Sequence, residues 1–284
     1  AMDILQGKIT VIICSRTEPP PAFARLQASR NLQVVDWHQL RFQEKEIKEV
    51  INCITDTTYP NTVIAGLHRK TDGWIAALLL ILIKKENFEN IEQLLLSHNT
   101  PDEIFDYLGN IIFDRLDPEV KNILMKLSFL PTISPKAAQS LSGKRACHIL
   151  KTLTRKNSFT HVKIGEPPEY YFHPLFKEFL QKKAHEMFPL SEHRMMLLHT
   201  AAFLVKEEKT EDAINLYMES GHALKTINLI ISQSPILASQ GRVQTIETWI
   251  DALPQKTVFN TPWLLFWKGI CKIHAAPDQA KPFF

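Results

Sequence analysis

From Gln43 onward apolar residues recur every three or four positions in segment after segment, and one stretch breaks that rule. Phe159 to Ile164 and Glu169 to Phe172 alternate instead, on either side of Gly165-Glu166-Pro167-Pro168, the pattern of a β-hairpin. A chain patterned this way is expected to be mainly α, built from helices packed on helices with one small two-stranded wing.

The helical run opens with Ile47, Val50, Ile51 and Ile54 on one face and is broken at Asp56 to Pro60. Helices are predicted next over 61–69, 72–85, 87–97 and 101–115, with Asp72 and Pro101 in starting positions, as a small all-α unit. A second group starts at Asp117-Pro118, where Asp can cap and Pro fits the first turn, and runs to Leu130. Ser134-Pro135 starts another helix, a third spans 144–156, and the hairpin follows; three helices and then a wing is the order of a winged helix. Beyond Pro189 the pattern predicts helices at 192–208, 210–219, 222–233, 242–252, 262–275 and from 277. Small residues at Ala201, Ala202, Ala213 and Ala223 and the phrase Glu211-Asp212-Ala213-Ile214 suggest tetratricopeptide-like hairpins. The repeat is expected to continue past Phe284, because Pro282-Phe283-Phe284 leaves an apolar end uncapped.

Ahead of the helices, Ile9 to Cys14 and Leu32 to Val35 read as short strands of a sheet buried on both faces. Two strands make no stable sheet, so this segment is expected to be the remnant of an α/β domain with further elements before residue 1.

Composition narrows the function. With 284 residues, 45% of them hydrophobic, the chain can bury two or three cores. Its 33 Lys and Arg against 30 Asp and Glu give a net charge of +3, which by itself names no partner. Cys14, Cys53, Cys147 and Cys271 are scattered without a CxxC pair, which fits reduced thiols in a cytoplasmic protein. No signal peptide opens the chain. The most apolar run, Trp74 to Ile83, is bracketed by Asp72 and Lys84-Lys85 and falls well short of the ~20 residues needed to span a bilayer, so no membrane contact is expected.

Several chemistries are excluded by spacing. Lys follows Gly only at Gly7-Lys8 and Gly143-Lys144, neither with a second Gly five residues upstream, so no phosphate-binding loop is present. No two of the 11 histidines lie three or four apart and no two glycines four apart, which removes helical zinc pairs and the GxSxG elbow. Carboxylates such as Glu44, Glu46 and Glu49 sit in exposed helical charge patterns.

Four collinear stretches carry a resemblance over nearly the whole chain. They are Ser15-Arg16-Thr17-Glu18-Pro19-Pro20 running on to Ala24-Arg25-Leu26; Asp72-Gly73-Trp74-Ile75-Ala76-Ala77-Leu78; Tyr170-Tyr171-Phe172-His173-Pro174-Leu175-Phe176-Lys177-Glu178-Phe179-Leu180; and Thr248-Trp249-Ile250-Asp251-Ala252-Leu253-Pro254 with Pro262 and Leu264. Together they resemble the MalT-like, LuxR-type STAND transcriptional regulators, large ATP-binding switches. The resemblance implies four parts: residues 1–42 ending a nucleotide-binding domain, 43–112 a helical subdomain, 113–189 a winged helix and 190–284 an arm leading into helical repeats. It implies a non-enzymatic regulatory fragment of an ADP/ATP-switched activator whose Walker segments precede residue 1 and whose DNA-binding domain lies beyond Phe284. An inducer would act through the downstream repeats, and the active form would self-associate.

The same resemblance assigns site residues. Arg16, at a strand's carboxyl end, would be the sensor for a γ-phosphate, where its alternative is a surface pair with Glu18. His173 would contact the β-phosphate of ADP from a helix N-terminus and hold the switch closed, where its alternative is a histidine satisfied by backbone. Gly73 and Trp74 would border the nucleotide, Trp74 either covering an adenine or filling the core. Ala77 stands where the family has Gly, and Pro174 where it has a second His.

Two other functions fit the residues alone. One is a helical-repeat scaffold for a protein partner without nucleotide. The other is a winged-helix DNA binder, since Lys144, Arg145, Lys151, Arg155 and Lys156 on the third helix could meet phosphates while Ile149, Leu150 and Leu153 pack inward. In the family the winged helix is a switch part.

Without a phosphate-binding loop the isolated chain is expected to release no phosphate from ATP above a no-protein control; measured turnover would overturn its reading as a non-enzyme.

Overall fold

The computed structural model describes residues 10–15, 19–54, 58–83, 100, 102–155, 159–163 and 165–273, which form two compact units. One comprises the described residues up to Ser128 with Thr132–Lys183; the other comprises Phe129–Pro131 and the described residues from Ala184. As expected, the architecture is mainly α with one hairpin.

The first unit begins irregularly. A 3-10 turn at Pro21–Phe23 leads into α1 (Ala24–Ala28), and a capping box, with Asp36 and Gln39 each bonding the other's backbone N–H, starts the four-residue α2 (Trp37–Leu40). The two strands predicted at 9–14 and 32–35 are not found. Residues 10–14 and 32–35 pair with no strand, and Val11, Ile12, Ile13, Val34 and Val35 are exposed. A strand's backbone groups need a neighbouring strand to satisfy them, and none is offered among the described residues.

Helices α3 (Glu44–Ile54), α4 (Asn61–Thr71) and α5 (Ile75–Ile83) pack on one another through Ile47, Ile51, Val63, Ile64, Leu67 and Leu78. The helix predicted from Asp72 starts three residues later, because Asp72 and Gly73 have φ of 46° and 73° and terminate α4 instead. The helix predicted at 87–97 lies outside the described residues. The next, α6 (Asp102–Leu108), widens into a π turn over Gly109–Phe113, which sets Phe113 edge-on to Phe179 at 5.4 Å.

The winged helix follows in the predicted order: α7 (Pro118–Leu127), α8 (Pro135–Ser142), α9 (Ala146–Arg155), β1 (Thr160–Lys163), β2 (Glu169–Phe172) and α10 (Pro174–Met187). Ser134 caps α8 by accepting the N–H of Ala137 at 3.1 Å, as a Ser-Pro start requires. Thr160 pairs with Phe172 and Lys163 with Glu169 across the hairpin, and Ile133 bonds Tyr170 on its other side. Amphipathic α9 buries Ala146, Leu150 and Leu153. Phe176 and Phe179, one turn apart on α10, stack at 6.2 Å, and Phe105, Phe113 and Phe172 close around them.

In the second unit α11 (Leu190–Lys206), α12 (Thr210–Glu219), α13 (Ala223–Ser239) and α14 (Val243–Asp251) pack each on the next, and α16 (Pro262–Ile273) packs on α14 and on the short α15 (Gln255–Phe259). Three connections share one closure: the N–H groups of Lys209, His222 and Arg242 reach back to the carbonyls of Leu204, Tyr217 and Leu237, each five residues earlier. The residue before each donor is left-handed, Glu208, Gly221 or Gly241, the geometry of a Schellman stop. The helix predicted at 222–233 runs on through Pro235 to Ser239 as α13, with Ile230 and Leu237 on either side of the proline buried in a core with Trp249 and Ile250. Arg242 grips Glu211 with both guanidinium nitrogens, at 2.7 and 2.8 Å.

Phe179 is 1% exposed and meets three other rings, so Phe179→Ala is expected to cost about 3–5 kcal/mol, read as a lowered midpoint in chemical denaturation. A variant as stable as the parent would contradict the placement of this core.

Candidate functional site

The site is organised by the turn between α4 and α5. Thr71 ends α4 with its hydroxyl bonded back to the Leu67 carbonyl at 2.8 Å, and the two left-handed residues that follow reverse the chain. Gly73 has no alternative here: a Cβ would lie 2.4 Å from the Phe42 carbonyl oxygen and 2.8 Å from its nitrogen. That closeness lets the Phe42 N–H bond the Gly73 carbonyl at 3.0 Å, while Arg41 pairs with Asp72 at 3.0 Å. The turn is thus stapled to the segment joining α2 and α3.

His173 stands between β2 and α10 and is 1% exposed. Its carbonyl takes the N–H of Lys177, the first bond of α10, and its own N–H goes to the Phe159 carbonyl at 2.9 Å. Its Nδ1 accepts the N–H of Leu175 at 3.3 Å, so the ring caps its own helix. Its Nε2 lies 2.9 Å from the Thr71 carbonyl. A backbone N–H can only donate and a carbonyl only accept, so the proton sits on Nε2 and the imidazole is neutral. The Thr71 carbonyl also receives the Trp74 N–H at 2.8 Å, which uses both its lone pairs.

Aromatic rings enclose the imidazole. Phe159, Trp74 and Trp37 meet it edge-on at 5.4, 6.0 and 6.3 Å, and His161 lies at 6.5 Å. Trp74 also packs on Phe159 and Tyr107 at 5.1 and 5.4 Å, and Trp37 stacks on His161. Phe159 holds φ at 52°, a strained setting for a bulky residue, in the position where its ring and its carbonyl both reach His173. Burial drives the His173 pKa from 6.5 down to about 4; the Asp72 carboxylate and the bond to Thr71 oppose this, and His161 adds to it.

The structure therefore brings Gly73, Trp74 and His173 together, and Arg16 lies outside the described residues. In this arrangement His173 is held by backbone at both nitrogens, and Gly73 answers to the approach of Phe42. Sequence reading did not single out Thr71, Trp37, Phe159 or His161. The Asp36-Trp37-His38-Gln39 capping-box spacing was the signal that could have found Trp37, whereas Thr71 acts through a carbonyl that every residue carries. Among the described residues no cluster of three or more His, Cys, Asp or Glu could hold a metal ion, and no helix is long and apolar enough to cross a membrane.

Residues 109–192, which include the wing, His173 and α10, match the MalT winged helix domain family. The chain is 24% identical over 269 residues to the HTH-type transcriptional regulator MalT of Vibrio campbellii, an alignment covering 92% of this chain and 29% of that protein. It is 25% identical to the MalT of Serratia proteamaculans, over 90% of this chain and 29% of that protein. The serine/threonine-protein kinase PknK of Mycobacterium tuberculosis is 23% identical, over 95% of this chain and 25% of that protein. The chain thus spans under a third of the length of these relatives. Among solved structures, a STAND protein with a tetratricopeptide repeat sensor from Pyrococcus horikoshii has a TM-score of 0.49 at 16% identity, covering 86% of this chain and 35% of that one.

The depressed His173 pKa makes a signed prediction. The unfolded chain takes up a proton below about 6.5 while the folded ring refuses it until about 4, so the folded state loses stability as pH falls across that interval, by a total on the order of 3 kcal/mol. His173→Gln keeps an amide donor toward Thr71 but cannot be protonated, so its melting temperature should fall less between pH 7.5 and 4.5. An equal fall in both proteins would show that His173 is not the titrating group.

Proposed function

We propose that this chain is the regulatory middle of a nucleotide-switched transcription regulator, in which His173 latches the winged helix to the helical subdomain. One observation supports the reading: a single buried imidazole joins the Thr71–Trp74 turn to the start of α10, 102 residues away in sequence. A latch must be both specific and breakable, and two hydrogen bonds from one neutral ring to two backbone groups are both. With a diphosphate bound by residues ahead of this chain, the Nε2–H is the donor on offer, and a phosphate oxygen would replace the Thr71 carbonyl as its acceptor.

In this reading the Thr71 latch holds the chain without nucleotide, ADP favours a closed arrangement by taking over the Nε2–H, and ATP with an inducer favours the open one, since only a ligand with different affinities for two states can shift their populations. Arg16 senses the γ-phosphate, and Gly73 and Trp74 hold the turn that carries the acceptor. The helices from Leu190 onward transmit the inducer signal, and promoter contact belongs to a separate helix-turn-helix. The chain itself is non-catalytic and works in the cytoplasm.

The test uses the full-length gene product. A phosphate-binding loop is expected ahead of residue 1, with ADP co-purifying. His173→Ala should weaken ADP retention at least about tenfold, or roughly 1.4 kcal/mol, and raise transcription from the target promoter without inducer. A full-length protein lacking such a loop, or a variant that holds ADP as tightly as its parent, defeats the proposal.

A further inference from the structure

The winged helix carries a charge asymmetry that the latch does not use. Between Glu119 and Glu166 the sequence holds nine Lys and Arg and no Asp or Glu, in a chain whose whole excess is +3. This excess is sorted by the fold. On α9 the residues Ala146, Leu150 and Leu153 face the core, while His148, Lys151 and Arg155, spaced three and four apart, are exposed along the opposite side. Lys144, four residues before His148 in the turn entering the helix, is exposed as well. Arg145 is spent on Glu119, and Lys163 on the wing faces Glu169 across the hairpin.

From this we infer that the outer face of α9 is a docking surface for the phosphates of double-stranded DNA, engaged without sequence preference. The argument is charge complementarity on a helix of the right dimensions. From His148 to Arg155 the stripe runs about 10 Å at 1.5 Å per residue, and a major groove about 12 Å wide admits a helix. Cations carry the stripe, with no Asn or Gln between Lys144 and Arg155, and contacts from cations to phosphates carry no sequence information. An apolar protein partner fits poorly, since the exposed side of α9 holds no large hydrophobic residue. The inference stands apart from the nucleotide switch, because it concerns residues other than those that hold His173 and asks nothing of ADP.

The test is fluorescence anisotropy of the whole 284-residue chain with a mixed-sequence duplex of about 20 base pairs. Micromolar or weaker binding is expected at 50 mM salt, falling about 40-fold by 200 mM if about three phosphates are neutralised. Joint replacement Lys144→Glu, Lys151→Glu and Arg155→Glu should reduce affinity at least about tenfold and flatten the salt slope. The same three positions changed to Gln should reduce it less. Circular dichroism confirms that both variants fold; if the Glu variant does not, the Gln variant decides. Reversing three cations elsewhere, Arg25→Glu, Lys45→Glu and Lys48→Glu, should leave binding largely intact. No binding at 50 mM salt overturns the inference. So does an equal loss in the control variant, which would make the attraction one of overall charge. Equal affinity for duplex RNA, whose deep narrow major groove excludes a helix, or capture of an acidic protein in place of duplex, also overturns it.

Discussion

The bond from His173 Nε2 to the Thr71 carbonyl ties the α4–α5 turn to the start of α10, alongside the packing of Phe105 and Phe113 on Phe179. The acceptor exists in the right place only because Asp72 and Gly73 are left-handed, and Gly73 is tolerated there only because it has no Cβ to strike Phe42. The donor is in place because the same ring caps α10 through Nδ1 and because the His173 N–H is tied to Phe159, itself held in a strained conformation. Each constraint is modest alone, at about 0.5–1.5 kcal/mol for a hydrogen bond, but they share one ring, and losing one orphans buried partners. That explains why a histidine rather than an aromatic occupies a pocket lined by Trp37, Trp74 and Phe159: the pocket supplies rings for packing, and the two backbone groups need one donor and one acceptor in a single plane.

The same arrangement decides what the imidazole can do with an anion. Kept neutral by burial, it offers one N–H and no charge, so it cannot attract a phosphate from a distance as an arginine does. It can only exchange one acceptor for another at contact range. A switch built this way discriminates by geometry, because the exchange is favourable only when a phosphate oxygen arrives where the Thr71 carbonyl now sits. The cost is that Thr71, with its second lone pair already taken by Trp74, loses a partner whenever the exchange occurs, which couples nucleotide to the α4–α5 turn.

How far this was legible in sequence depends on where the information lay. Local signals were clear: the hairpin around Gly165-Glu166-Pro167-Pro168, the Ser134-Pro135 start and the order of the winged helix follow from turn and cap chemistry within a few residues. Errors arose where a neighbour decides. Ile9 to Cys14 and Leu32 to Val35 have strand composition, but pairing is a property of two segments, and among the described residues none is offered to 10–14 or 32–35. The helix predicted at 222–233 stops short of Pro235, and its continuation to Ser239 goes with the burial of Ile230 and Leu237. The site shows the same division. Gly73, Trp74 and His173 were visible as unusual residues in recognisable phrases, whereas Thr71 contributes a carbonyl and Phe159 a backbone angle, neither of which has a one-letter code.

The winged helix holds two environments with different physics. At His173 both ring nitrogens are matched by backbone, and the nearby Arg41 and Asp72 charges are paired with each other, as burial demands. Along α9 the reverse holds, since Lys151 and Arg155 stand one turn apart as like charges, a spacing that costs a lone helix about 0.2–0.5 kcal/mol. Fold stability gives no reason to keep such a pair, because α9 is already amphipathic through Ala146, Leu150 and Leu153, and a single exchange to Glu at 155 would replace repulsion by attraction. A feature that opposes stability and leaves the core untouched is best understood through what lies outside the fold, and for a cationic stripe that means an anion of matching pitch.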